Sequence, residues 1–271
     1  FFYMLNPYMI VNVWNRFLLP IILASALFPV SLLLCIKGLK EHKTHYAFYI
    51  CIVSVILGLA FSHPANLIIL WLILLSYVAF YIFENRDEKL KVVYALKFSS
   101  ILLGLWFLLN SWWLLPFAST AFHSLGTRID AAENLALFLS SSEKYGGLFY
   151  IARLINYQFF SVTWTNYLTI LDPISVLTLG TIALSAFKLK NRFTQYFIFL
   201  SFLGLFLAKG SEPPLGEVFV WAFTSFQPLQ VLRDPYGKLG IIIALGYAPL
   251  FGVGFTILQS WIKQYAELFS N

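Results

Sequence analysis

The sequence predicts an all-α fold, a polytopic bundle of about seven transmembrane helices whose long outer loops carry interfacial helices. Three observations support this class: 60% of the 271 residues are hydrophobic, only 11% are charged, and the mean hydropathy is +0.79. A soluble domain has about 25% charged residues, so this chain has too few to cover a water-exposed globule. Soluble enzymes and disordered tails are therefore excluded. We expect residues 1–271 to form one membrane bundle.

Seven apolar stretches approach the roughly 20 residues that a helix needs to cross a bilayer core. Continuous apolarity indicates helices, because lipid offers no water to satisfy an irregular backbone. The second and sixth stretches have 16 residues each, so we expect them to borrow flanking residues or to cross a thinned region. The predicted spans are residues 17–36, 46–61, 64–83, 92–117, 167–187, 193–208 and 239–262.

Basic residues predict the orientation of these spans. The short loops at 37–43, 86–91 and 188–192 each carry three Lys or Arg residues, and basic short loops face the cytoplasm. The inner side then has 11 basic and five acidic residues, whereas the outer side has seven of each. Topology therefore explains the net charge of +6, which does not indicate a nucleic-acid partner. We expect a plasma-membrane protein with its N-terminal residue outside and its C-terminus in the cytoplasm.

Two long outer segments, residues 118–166 and 209–238, are where we expect the function, because the inner loops are brief. The first segment contains an apolar stretch, residues 148–160, which is too short and too polar to span and which Arg153 interrupts. We expect this stretch to lie in the membrane interface. It forms either the wall of a site for a lipid-borne substrate or a plain cover for the helices.

The second outer segment ends in residues 232–236 (LRDPY), directly before the last predicted span. Arg233 and Lys238 are cations at the outer mouth of the bundle, and an arginine at this depth can bind a phosphate in a bidentate manner. With Arg153 of the first segment, they are the predicted substrate-binding residues. The sequence thus predicts an anionic headgroup as ligand.

Aspartate–proline pairs permit a second interpretation of two acids. An aspartate before proline is a good helix N-cap, because its side chain accepts backbone N–H bonds and proline at the first helical position has no N–H to satisfy. For Asp172 we favour this cap, with a functional intramembrane carboxylate as the alternative. For Asp234 the cap and a role in the site both stay open, because Arg233 and Lys238 are close in sequence.

The sequences of residues 232–236 (LRDPY), 239–241 (LGI) and 248–250 (APL) resemble large multispan archaeal membrane proteins of the GT-C glycosyltransferase superfamily. The resemblance is to members similar to the mycobacterial arabinofuranosyltransferases. The opening at residues 6–8 (NPY) also fits an outer loop of such proteins. The resemblance implies transfer of a sugar from a polyprenyl-phosphate donor on the outer face of the membrane.

The resemblance also implies roles for particular residues. Arg233 would hold the donor phosphate, and Glu212, Glu217 or Asp234, the candidate catalytic residues, would orient sugar hydroxyls or a divalent metal. In that superfamily a general-base carboxylate lies in the first outer loop, but this chain has no acid before its first predicted span. That base is then upstream of Phe1 or missing, and since the chain begins without methionine we expect it to be a piece of a longer protein. The implied partners are membrane lipids, the sugar donor and a membrane or acceptor protein.

Two other functions fit the same sequence. One is a non-catalytic membrane scaffold subunit, and the other is a transporter of a lipid or solute. The sequence contains no phosphate-binding loop, dinucleotide fingerprint, zinc-protease motif or nucleophile elbow. Any chemistry must therefore use an activated substrate or a gradient.

Overall fold

The computed structural model describes residues 1–15, 17–124, 131–144, 147–155 and 165–270. The regular elements in these ranges are all helical. Short π and 3-10 segments join some of the α-helices, for example at Ile10–Asn15, Gly58–Ser62 and Gln227–Leu232. The α-helices are α1 Phe2–Leu5, α2 Pro7–Met9, α3 Leu19–Lys40, α4 His45–Ile56, α5 Ala65–Glu84, α6 Lys89–Ser124, α7 Ala131–Lys144, α8 Leu148–Ala152, α9 Thr165–Leu184, α10 Arg192–Ala208, α11 Gly216–Ser225 and α12 Pro235–Ser270.

Four described helices are long and apolar enough to cross a membrane: Leu19–Lys40, Ala65–Glu84, Lys89–Ser119 and Pro235–Glu267. They correspond to the first, third, fourth and seventh predicted spans. The second and sixth appear as shorter apolar helices, α4 with 12 residues and α10 with 17, and the fifth corresponds to α9. The structure therefore supports an all-helical membrane protein. The number of seven spans, the orientation and the identity of the membrane stay predictions.

The chain forms two compact units. The split unit comprises Phe1–Phe17 and Leu135–Asn271, and the continuous unit comprises Leu18–Asn134. Each unit has its own packed helices, described in turn below.

Buried amide side chains hold the helices of the continuous unit together. Asn66 on α5 donates from Nδ2 to the carbonyl oxygens of Pro20 (3.3 Å) and Ala60 (2.8 Å). Asn110 on α6 donates to the Ser54 hydroxyl of α4 at 3.2 Å. In an apolar surrounding such interhelical hydrogen bonds add to van der Waals packing. These contacts, with the hydrogen bond from the Tyr94 hydroxyl of α6 to the Gly38 carbonyl oxygen of α3 at 3.3 Å, place polar groups at several helix–helix interfaces of this unit.

Glycines allow α9, α10 and α12 of the split unit to approach closely. A Cβ added at Gly246 of α12 would overlap the hydroxyl of Ser201 on α10, and one added at Gly254 would overlap the carbonyl oxygen of Thr181 on α9. Small residues at such positions let helix backbones come near each other. The van der Waals contacts made at this distance help to hold helices together in lipid. The central helix of this unit is α12, which packs against both α9 and α10.

The two outer segments contain further helices. In the first, α6 runs on to Ser124, and α7 and α8 follow. The predicted interfacial stretch begins as α8, and residues 156–160 of it lie outside the described residues. In the second, α11 and a 3-10 turn connect α10 to α12.

Candidate functional site

A buried arginine marks the first candidate site, in the split unit. Arg153 directly follows α8, and only 5% of its side chain is exposed. Its Nε donates to the hydroxyl of Ser175 at 2.9 Å, and its Nη2 donates to both the backbone carbonyl oxygen (3.2 Å) and the carboxylate of Asp172. The guanidinium also lies over the ring of Phe149, with 5.1 Å between its carbon and the ring centre. Arg153 is therefore fixed in place on α9.

Asp172 does not cap a helix, so the favoured interpretation of this residue is wrong. The helix α9 begins at Thr165, and both Asp172 and Pro173 lie inside it. The carboxylate pairs with Arg153, while 53% of its own side chain stays exposed. A tertiary ion pair with a buried cation outweighs the local preference for a cap, because an unpaired buried charge is costly. The alternative, a functional intramembrane carboxylate, stays a prediction.

An apolar cavity of about 260 Å³ lies beside this ion pair within the split unit. Its walls come from the N-terminal segment, from the residues after α8, from α9 and from α12. Apolar side chains such as Phe2, Ile174 and Phe251 dominate the wall, and Phe2 stacks on Phe251 with 4.9 Å between ring centres. Among the described lining residues, Arg153 provides the one charged side chain. The cavity thus combines apolar walls with one buried cation.

The start of α12 forms the second candidate site. Asp234 is its N-cap, because Oδ1 accepts the amide of Gly237 at 3.0 Å and the backbone carbonyl oxygen accepts the amide of Lys238 at 3.1 Å. Arg233 lies exposed just before the helix, and Lys238 lies half-buried in its first turn. The capping interpretation of Asp234 is therefore confirmed. The roles of Arg233 and Lys238 in binding a substrate stay predictions.

The structure brings together the opening at residues 6–8 and the start of α12, two of the stretches on which the expected resemblance rests. The hydroxyl of Tyr8 donates to the carbonyl oxygen of Gly237 at 2.9 Å, and the rings of Tyr8 and Tyr236 meet edge to face at 5.8 Å. Gly240 gives the Tyr8 ring its space, since an added Cβ there would come within 2.6 Å of the ring. The N-terminal opening therefore packs on the first turns of α12.

Near Glu212, one of the remaining candidate carboxylates, lies a buried lysine that the sequence analysis missed. Glu217 is exposed in the first turn of α11, and Glu212 is half-buried in the loop after α10. The Nζ of Lys209 donates to the backbone carbonyl oxygen of Glu212 at 2.6 Å and lies about 5 Å from the ring centres of Phe206 (5.1 Å) and Phe219 (5.0 Å). Burial lowers the pKa of the Lys209 ammonium, and the nearby charge of Glu212 offsets part of this effect. A lysine at the end of an apolar helix usually reaches water, so the sequence held no signal for its burial.

The described residues include no group of three His, Cys, Asp or Glu side chains that could hold a metal ion. The divalent metal that the resemblance implies therefore stays a prediction. Comparison of the chain with known protein families, curated proteins and solved structures found no match.

Proposed function

We propose that this chain binds a polyprenyl-phosphate-linked sugar from the outer side of a membrane and serves the transfer of that sugar. The observation that carries the proposal is the apolar cavity of the split unit, which has Arg153 in its wall. One of the two sequence-based interpretations of residues 148–160, the wall of a site for a lipid-borne substrate, points to the same ligand. The buried arginine adds a specific anchor for the charged end of such a ligand.

The chemistry of the cavity matches the two parts of a polyprenyl phosphate. Apolar walls accept part of an isoprenoid chain, since burial of apolar surface is favourable. The planar guanidinium of Arg153 suits a phosphate, because its N–H groups match two phosphate oxygens at once. Cavities that hold small molecules measure about 300–1,000 Å³, so a volume of about 260 Å³ accommodates the isoprene units nearest the phosphate. The rest of the chain then extends into the surrounding lipid.

The transfer step rests on the resemblance at residues 232–241 and on the carboxylates near the start of α12. Gly210, which has a φ of +60°, lies against Pro235, so the loop that carries Glu212 packs beside the cap formed by Asp234. A sugar attached to a bound phosphate needs hydrogen-bond acceptors for its hydroxyl groups. Carboxylates of this segment are suitable acceptors, which supports the proposed role.

Native mass spectrometry of the chain, purified gently with its own lipids, tests the proposal. Arg153→Met removes the cation from the cavity wall, and Arg233→Met is the matched control, because it removes an exposed cation from the start of α12. We expect a bound polyprenyl-phosphate species in the wild type and in Arg233→Met, and its loss in Arg153→Met.

Two results would contradict the proposal. Loss of the lipid in Arg233→Met alone would show that Arg233, at the outer mouth of the bundle, binds the phosphate, as the sequence resemblance implies. The absence of any such lipid from the wild type would overturn the binding function itself and favour a scaffold or a transporter. Circular dichroism of both variants checks that their helices are intact.

A further inference from the structure

We infer that Asp172 is the resting counter-ion of Arg153, which the anionic group of the bound lipid replaces. The inference rests on the proposed function, because it concerns the same arginine and the same cavity. It adds a mechanism of exchange: the site holds its own carboxylate when empty and releases it when loaded.

The two members of the ion pair differ greatly in exposure. The side chain of Arg153 is 5% exposed, whereas that of Asp172 is 53% exposed. A buried guanidinium that loses its anion is left as an uncompensated charge, which is strongly unfavourable. Asp172 lies five residues after the predicted outer start of the fifth span, so its half-exposed carboxylate leaves the pair at lower cost than the buried guanidinium does. Arg153 therefore requires an anionic partner in both the empty and the loaded site, whereas Asp172 does not require the cation.

Contacts other than the ion pair hold the guanidinium of Arg153 in the cavity wall, in position to bind a ligand. Nε of Arg153 stays bonded to the Ser175 hydroxyl, which itself donates to the backbone carbonyl oxygen of Asp172 at 2.6 Å. Nη2 also bonds that carbonyl oxygen, and the ring of Phe149 covers one face. None of these contacts uses the Asp172 carboxylate. The arginine thus remains fixed when the carboxylate leaves, and the Nη2 hydrogen that the carboxylate accepted becomes available to an oxygen atom of a ligand.

The apolar lining of the cavity determines which anions can replace the Asp172 carboxylate at Arg153. Arg153 and Ser175 both line it, and the Asp172 carboxylate accepts a hydrogen bond from Nη2 of the same guanidinium. An anion that carries an apolar chain can enter the cavity from the lipid and pack that chain against the apolar walls, whereas a free inorganic anion must leave water without such contacts. A lipid phosphate is therefore the class of ligand that displaces Asp172, and inorganic phosphate is the comparison.

The experiment measures the affinity of geranyl phosphate for the chain in lipid nanodiscs, with geraniol and inorganic phosphate as comparisons. Removal of the internal competitor by Asp172→Asn should tighten binding of geranyl phosphate by at least about tenfold, because the buried guanidinium then has no counter-ion until the lipid phosphate binds. Arg153→Met should abolish binding in both backgrounds. Unchanged or weaker binding by Asp172→Asn would overturn the inference. Equal affinity for inorganic phosphate would show that the apolar cavity has no part in it.

A second measurement uses the wild type and so does not depend on the folding of a variant. Carbodiimide coupling of a small amine to Asp172, followed by peptide mass spectrometry, should increase when geranyl phosphate is added, because the released carboxylate is more accessible. Unchanged coupling at saturating geranyl phosphate would contradict the exchange. If the wild type shows no Arg153-dependent binding at all, the proposed function fails instead, and the two failures are therefore distinguishable.

Discussion

The unequal burial of Arg153 and Asp172 predicts unequal effects of removing them. Asp172→Asn leaves a guanidinium that is 5% exposed without its counter-ion, and breaking a buried pair in this way costs roughly 3–5 kcal/mol. Arg153→Met leaves a carboxylate that is 53% exposed. Loss of an ion pair with such an exposed partner lowers the free energy of unfolding by about 1 kcal/mol. The lost hydrogen bonds to the Ser175 hydroxyl and to the Asp172 carbonyl oxygen add about 1 kcal/mol each. We therefore expect Asp172→Asn to lower the free energy of unfolding by about 1 kcal/mol more than Arg153→Met.

The double variant Arg153→Met/Asp172→Asn completes the test. Once the arginine is gone, loss of the carboxylate has little further effect, so the double variant should be about as stable as Arg153→Met and more stable than Asp172→Asn. The assay is denaturant unfolding in bicelles, followed by the fluorescence of the eight tryptophans. Additive effects of the two substitutions, or a larger loss from Arg153→Met, would refute the argument from burial.

Three further predictions concern packing, a buried charge and a cap. Gly254→Leu places a side chain against the α9 backbone and should cost about 1–3 kcal/mol of stability, whereas Gly252→Leu, which has open space around it, should be nearly neutral in the same denaturant assay. Folding lowers the pKa of Lys209, so the unfolded chain holds that proton more tightly, and stability should rise as the pH increases from the lowered pKa toward the ordinary value of about 10.4. Lys209→Met should remove this rise in unfolding curves measured across that pH range, and a rise of the same size in the variant would contradict the assignment. Asp234→Ala should cost about 1 kcal/mol through loss of the cap and Asp234→Ser much less, so equal losses in thermal unfolding would count against the cap.

Local patterns in the sequence predict the parts of this fold that depend on local forces. The helices α3, α5, α6 and α12 coincide with long apolar stretches, because a run of about 20 apolar residues is stable in lipid as a helix whatever its neighbours are. The cap at Asp234 is likewise predictable, since it involves only the residues of one turn. The span at residues 46–61 is less regular than predicted: α4 ends at Ile56 and a 3-10 segment follows.

Contacts between distant residues could not be predicted in the same way. Arg153 and Asp172 are 19 positions apart, and the local rule for an aspartate before proline pointed to a cap. Only the docking of the residues after α8 on α9 reveals the ion pair. The burial of Lys209 similarly depends on Phe219 of α11, which folds back over the end of α10. A single sequence contains no signal for such long-range packing.

Site-specific photo-crosslinking tests the central claim most directly. An isoprenoid phosphate with a diazirine in its first isoprene units, added to the chain in nanodiscs and mapped by peptide mass spectrometry, reports which residues surround the bound chain. The account predicts saturable crosslinks to cavity residues such as Phe2, Ile174 and Phe251, competed by unlabelled geranyl phosphate and lost in Arg153→Met. Crosslinks confined to residues around Arg233, or spread evenly over the apolar helices without saturation, would contradict it.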